Sequence, residues 1–192
     1  MPFPQIEAAV LARAQRGDRE AHALLYGAFA GMVYTLARRM LASTTLAEDV
    51  LQETFVEVIR KIGTYRGEAE LGFWVKRVAI NKCLTQLRSG WVARRVETDD
   101  IETFSDDSSS DGYDDQVALQ GALGELSDTA RAVVWLHDVE GYTHKEIGRM
   151  MGRTASFSKS QLARAHDRLR TLLQGALEQS EPQLCTPILK PC

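Results

Sequence analysis

At 192 residues with 44% hydrophobic side chains, the chain is long enough for one large domain or two small ones and carries enough apolar material for a packed core. Aromatic residues make up only 7% and β-branched runs are short, which argues for helices and against a β-sandwich. No uninterrupted apolar run reaches membrane-spanning length, and Met1 to Gly17 has no cleavable signal pattern. The expectation is a cytoplasmic chain with no membrane insertion.

The net charge of −3 hides a strong asymmetry. Glu97, Asp99, Asp100, Glu102, Asp106, Asp107, Asp111, Asp114 and Asp115 place nine acids in one Ser-rich stretch that holds no base. With those nine set apart, 17 of the 26 acids remain against 23 bases, a net of +6. Basic structured parts joined by an acidic linker suit a nucleic-acid binder. Cys83, Cys185 and Cys192 make no metal signature. Cys83 lies in a helical pattern and reads as core. Cys185 and Cys192 flank a Pro-containing tail, where spare thiols and a redox role both stay open.

In chain order, Ile6 to Arg16 reads as a short helix broken at Gly17, with Asp18 as the cap of the next. From Glu20 to Met40, Leu24, Leu25, Ala28, Phe29, Met32, Val33, Leu36 and Ala37 sustain a helical stripe. Thr45 is the expected N-cap of a third helix, with Glu48 completing a capping box. That helix carries Leu51, Phe55, Val58 and Ile62 on one face and Asp49, Gln52, Glu53, Val56 and Arg60 on another, and Gly63 is expected to end it. A polar loop leads to a Trp-bearing helix, apolar at Leu71, Trp74, Val75, Val78 and Ala79, with Lys76, Arg77, Asn81, Lys82 and Arg88 as polar tips. It should fade at Ser89–Gly90. The acidic run follows as a flexible tether. From Gln116 a second helical block begins, with Ser127 and Thr143 as caps and Gly141 and Gly152 as breaks. The last helix is expected to run from Thr154 or Ala155 to about Leu173. The Pro-containing end should be loose. The fold class is therefore all-α, two small helical domains joined by an acidic flexible linker, the second holding a helix-turn-helix. The divisions fall at 1–95, 96–115, 116–175 and a flexible tail at 176–192.

Two stretches suggest chemistry. Thr143 to Arg170 has the layout of a helix-turn-helix: a short helix, a turn at Gly152 and a longer helix burying Leu162, Ala165 and Leu169. Ser156, Phe157, Lys159, Ser160 and Arg164 should then face outward on the half of a recognition helix that meets base edges. Tyr142 to Arg170 carries seven bases, Arg153 among them, against two acids, the excess that phosphate contacts require. The alternative is a solvated helical hairpin. In the Trp-bearing helix, Trp74 can stack on an unpaired base, Asn81 can bond a base edge, and Arg77 and Lys82 can follow a backbone. Trp74 as a plain core residue stays open. The Asp49–Gln52–Glu53 face is either solvated or a docking surface for a basic partner. The four histidines have no metal-ligand spacing, and no Gly-rich phosphate loop follows a strand. No enzyme activity, metal or cofactor is expected.

These residues resemble a known family, the bacterial RNA polymerase sigma factors of the extracytoplasmic-function (ECF) type. Ala47-Glu48-Asp49-Val50-Leu51-Gln52-Glu53-Thr54-Phe55 is similar to its core-polymerase docking helix. Tyr65-Arg66-Gly67, then Trp74-Val75-Lys76-Arg77-Val78-Ala79-Ile80-Asn81 and Leu87-Arg88, is similar to the part that melts and captures the minus-ten promoter element. Leu126, Arg131, Leu136, Glu140-Gly141-Tyr142-Thr143-His144-Lys145-Glu146-Ile147-Gly148, Leu162-Ala163-Arg164-Ala165 and Leu169-Arg170 are similar to the module that reads the minus-35 element.

The resemblance implies a factor that binds core RNA polymerase through Asp49, Gln52, Glu53 and Val56. Promoter DNA would meet Arg66, Trp74, Arg77, Asn81, Lys82 and Arg88 at minus ten, and Arg153, Ser156, Phe157, Lys159, Ser160 and Arg164 at minus 35. An anti-sigma factor is a further implied partner. Leu46 stands where members often carry Asp, and modification of Ser43, Thr44 or Thr45 by a Ser/Thr kinase is one way to restore that charge. Thr85 also stands where many members carry Asp. Phe157-Ser158-Lys159-Ser160-Gln161 replaces the usual Thr-Val-Lys-Ser-Arg, which points to apolar contact with a thymine methyl. Competing readings are a sigma-like decoy for an anti-sigma protein and a stand-alone helix-turn-helix regulator.

Overall fold

The computed structural model describes residues 3–96 and 114–180, and the side-chain surroundings of residues 3–89 and 119–174. Every regular element among them is helical. The acidic stretch at 97–113 and the end beyond 180, with Cys185 and Cys192, lie outside the described residues.

Helix α1 (Ala8–Gln15) leads into α2 (Arg19–Leu41) through Gly17, whose φ of +87° is a conformation that costs glycine little. The Asp18 carboxylate caps α2 by accepting from the amides of Glu20 and Ala21. Arg13 reaches the same carboxylate at 2.6 Å and holds its pKa below the ordinary value, helped by those amides. Along α2, Leu25, Phe29, Val33, Leu36 and Met40 recur at spacings of four and three and are buried. Leu24, expected in this stripe, is 53% exposed, because it falls one residue off the buried line.

Ala42 ends α2 in a left-handed conformation, with φ at +50°. Helix α3 (Thr44–Lys61) is then capped by Ser43, whose hydroxyl accepts from the Leu46 amide, and not by Thr45, which lies inside the first turn. Nor does α3 stop at a glycine cap. It tightens into a 3-10 turn at Ile62–Thr64, which seats Ile62 in the core. The Gln15 side chain donates to the carbonyls of Ile62 and Tyr65 and so ties this turn to α1.

Helix α4 (Leu71–Val96) runs past Ser89–Gly90, longer than its pattern suggested. It buries Leu71, Val75, Ala79, Ile80, Cys83, Leu84 and Leu87 against α2 and α3. Gly72 is buried because Phe3 lies on it: a Cβ there would come within 2.2 Å of the Phe3 ring.

The second block opens with α5 (Asp114–Gly124), which begins two residues inside the expected linker. Ser127 caps α6 (Asp128–Val134) through the Ala130 amide, as expected. A π-turn at Trp135–Val139 and Gly141, with φ at +75°, then redirect the chain. Helix α7 (His144–Met151) starts on a full capping box between Thr143 and Glu146. Gly152, at φ +65°, makes the turn into α8 (Ala155–Ser180), which extends past Leu173 into the expected tail. Gly148 on α7 packs against the turn before α8, where a Cβ would lie 2.8 Å from the backbone carbon of Thr154. The two blocks touch through α2 with α6 and through α4 with α7.

Candidate nucleic-acid interface

Helix α3 buries Ala47, Val50, Thr54, Phe55 and Val58, which leaves Asp49, Gln52, Glu53 and Val56 exposed in one row. Val56 is 67% exposed, an apolar side chain among acids and amides. Glu53 is already engaged: Lys82 on α4 stands 3.3 Å from its carboxylate and the Gln86 amide 3.4 Å from it. Ser43, one of the three expected modification positions, is in use as the α3 cap, whereas Thr44 and Thr45 are exposed.

The opposite side of α4 from its buried stripe shows Phe73, Arg77, Asn81, Thr85 and Arg88, at spacings of four, four, four and three. Thr85 donates to the Asn81 carbonyl, and Arg88 donates to the Leu84 carbonyl and the Thr85 hydroxyl. These bonds fix Arg88 along the helix and leave Arg77 and Asn81 outward. Trp74 and Lys82 sit on the shoulder of this face, half-buried. Trp74 packs against the core and meets the Tyr65 ring at 5.5 Å, so both of its readings hold in part: one side is core and the other is open. Arg66 is exposed in the loop just before α4. Of the expected minus-ten residues, Arg77, Asn81 and Arg88 thus share one exposed row along α4, Trp74 and Lys82 flank it, and Arg66 lies in the loop before it.

In the second block, Arg153, Ser156, Lys159, Ser160 and Arg164 are exposed on the turn and the N-terminal half of α8. Phe157 departs from expectation. It is half-buried with the Arg153 guanidinium 5.6 Å from its ring centre, so the cation covers the apolar side chain. Ser158 is wholly buried and pairs with His144 Nδ1 at 3.1 Å, which fixes the start of α8 against the start of α7. The helical spacing Ser158, Leu162, Ala165, Leu169 carried this signal.

Spacing alone missed a polar cluster behind α8. The Asp138 carboxylate accepts from His137 and from His166, each at 2.7 Å, and the His137 ring stacks on His144 at 4.5 Å. Burial pushes the Asp138 pKa up, and the bonds from His137 and His166 outweigh it, so the net shift is downward. Burial, then His137 and Lys159, pull the His144 pKa down.

Arg131, named from the sequence only as part of the family motif, is 5% exposed and has a role that spacing did not show. Its guanidinium donates to the carbonyls of Leu126, Gly124 and Leu123 and to Asp128 in its own block, and to the carbonyls of Met40 and Leu41 at the end of α2. Burial lowers its pKa, against the pull of Asp128. Among the described residues no group of His, Cys, Asp and Glu is arranged to hold a metal, and no helix is long and apolar enough to cross a membrane.

Comparison with known proteins matches both helical blocks to one family. Residues 25–92 match Sigma-70 region 2, and residues 116–169 match Sigma-70, region 4. The ECF RNA polymerase sigma factor SigM of Mycobacterium tuberculosis is 30% identical over 167 residues, which covers 87% of this chain and 84% of the relative. The RNA polymerase sigma-H factor of Pseudomonas aeruginosa is 25% identical over 185 residues, covering 88% of this chain and 94% of the relative. Among solved structures, the sigma factor RpoE from Bartonella quintana, in complex with the anti-sigma factor NepR, shares the fold. Its TM-score is 0.56 at 22% identity, covering 79% of this chain and 96% of that one. The exposed rows on α3, α4 and α8 thus lie on a chain that belongs to the ECF RNA polymerase sigma factors, which direct promoter-specific transcription initiation.

Proposed function

We propose that the three exposed rows divide the work of initiation between them. The α3 row of Asp49, Gln52, Glu53 and Val56 docks on a basic surface of core polymerase, with Val56 as the apolar contact at its C-terminal end. The exposed face of α4 takes the melted minus-ten strand. There Arg77, Arg66 and Arg88 meet phosphates, Asn81 bonds a base edge, Trp74 offers its open side for stacking, and Lys82 braces α4 against α3. The start of α8 enters the major groove at minus 35, where Lys159, Arg164 and Arg153 meet phosphates and base edges, beside Ser156 and Ser160.

The observation that carries this reading is the side-by-side exposure of an acidic-amide row on α3 and a basic-amide row on α4, braced by Lys82 and Glu53. The working units are 1–95, 116–175 and the acidic linker between them. Two weak sites on one tether reinforce each other, so neither block has to bind DNA tightly alone. The chain works where the polymerase is, in the cytoplasm. The similar RpoE structure was solved with an anti-sigma factor, and an anti-sigma factor is proposed as a partner here also.

The test is run-off transcription by purified bacterial core polymerase on a library of genomic fragments, with and without this protein. Start sites that appear only with the protein, sharing two upstream elements, are the expected result. Binding to core with no new start site would overturn the promoter-reading roles. Failure to bind core would overturn the role of the α3 row.

A further inference from the structure

The exposed row of α4 begins one turn before Arg77, at a residue with no role in the division of work proposed above. Phe73 is 56% exposed, and Arg77 and Asn81 follow it at steps of four residues. Each step rises about 6 Å along the helix axis, so ring, guanidinium and amide stand in one line. From Leu71 to Val96 the helix holds no Asp or Glu, so nothing on α4 repels a phosphate drawn to that line. Phe73 is also braced. Phe3, half-buried, sits over Gly72, where a side chain would take its place. Its ring meets the Phe73 ring at 4.6 Å between centres and 72° between planes, the edge-to-face arrangement that aromatic pairs favour. The Lys76 ammonium, held at 2.8 Å by Glu140 of the second block, lies 5.0 Å from the centre of the Phe3 ring and 5.9 Å from that of Phe73. A cation at that range is attracted to both rings. Ring and cation thus hold Phe73 in place while much of it stays open to water, and a side chain ordered in advance gives up little freedom when something stacks on it.

We infer that Phe73 is a further stacking platform for an unpaired base on the α4 face, and that Phe3 is the residue that positions it. The occupant is an unpaired base because the ring stands in line with a cation for a phosphate and an amide for a base edge, the combination by which proteins hold single strands. Residue 3 lies outside the part matched to Sigma-70 region 2, which begins at residue 25, so the N-terminal segment brings to the site a group from beyond that module. The inference rests on the assignment of the α4 face to the promoter strand.

The experiment uses the full chain assembled with bacterial core polymerase, with core alone as the blank. The probe is a mixed-sequence 12-nucleotide single-stranded DNA carrying 2-aminopurine, whose fluorescence is quenched when the base stacks. Titrations at several salt concentrations give affinity and salt slope, and circular dichroism checks the helix content. Phe73→Leu should lose quenching and bind at least about fivefold more weakly at an unchanged salt slope, while Phe73→Tyr keeps both. Arg77→Ala should lower the salt slope by about 1. Phe3→Ala should weaken binding in the native background and have no effect beside Phe73→Leu, because it acts through that ring. Native quenching and affinity in Phe73→Leu, with Arg77→Ala impaired, overturn the platform and leave the α4 assignment standing. Equal losses from Phe3→Ala in both backgrounds overturn the positioning role of Phe3. If Arg77→Ala also binds as the native chain does, the α4 assignment itself fails, and the platform with it.

Discussion

Lys82 on α4 stands 3.3 Å from Glu53 on α3, so the row proposed to meet polymerase and the row proposed to meet DNA share one ion pair. The two side chains are 29% and 46% exposed, and a pair so open to water contributes less than about 1 kcal/mol to stability. Glu53→Gln should therefore leave the denaturation midpoint within that range while loosening α4 against α3. Asp49→Ala, which touches no such brace, should weaken core binding with no change in helix content. Competition for core against a second sigma factor checks both, and native core affinity in Asp49→Ala would remove it from the docking row.

Ala42 holds the turn between α2 and α3 at φ +50°, where a Cβ costs about 1–2 kcal/mol relative to glycine. Glycine gives back part of that gain through its freer unfolded chain. Ala42→Gly should raise stability by about 0.5–1 kcal/mol in urea denaturation, and a loss of stability would show that the turn is not strained.

The His137–His144 stack gives the second block a pH dependence of calculable sign. Burial, His137 and Lys159 lower the folded pKa of His144, while the unfolded chain titrates near about 6.5. Below that value the unfolded state takes up more protons, so stability is full above pH of about 6.5 and declines as pH falls toward the folded pKa. Asp138, depressed in the folded state, adds a loss that begins only in the carboxylate range. Melting temperature should fall from pH 7.5 to 5.5, and His144→Gln should flatten that slope. An unchanged slope would exclude His144 as its source.

Burial pushes the Cys83 thiol up to about 12, and the side chain is fully enclosed by the core. A maleimide should therefore modify Cys83 only at the rate at which the first block opens, and urea should accelerate it in step with unfolding. Mass spectrometry of peptides checks this. Rapid modification in the folded chain would show that α4 leaves the core readily.

Lys159 and Phe157 should fail in different ways. Lys159→Ala removes an exposed cation. It should weaken binding across promoter sequences alike and reduce the salt slope by about 1. Phe157 carries Arg153 on its ring, so Phe157→Ala frees Arg153 and should alter base preference more than salt slope. Binding titrations at several salt concentrations separate the two. Equal salt slopes in both variants would refute the division.

The parts of this architecture that depend on near neighbours were legible in the sequence. Asp18, Ser127 and Thr143 each cap the helix that starts beside them, because a cap needs only an acceptor and an amide two or three residues on. The rule is weaker where hydroxyls crowd together, and Ser43 took the place expected of Thr45. The exposed rows on α3 and α4 followed from helical period alone. Arg131 could be placed in the second block, but its bonds to Met40 and Leu41 join residues some ninety positions apart, and no local pattern encodes that. The Lys76–Glu140 pair was hidden for the same reason. Phe157 looked exposed by period, and only the turn geometry brings Arg153 over it.

Gly148 on α7 lies against the turn that leads into α8, with the Thr154 backbone 2.8 Å from where a side chain would begin. At this point main chain meets main chain, so the end of α7 and the turn into α8 are held with no side chain between them. Residues on the outer face of α8 can change freely without tilting it, so this protein can acquire a new promoter preference by surface substitution alone. A methyl group at 148 would act as a wedge, turning every DNA-facing residue of α8 at once.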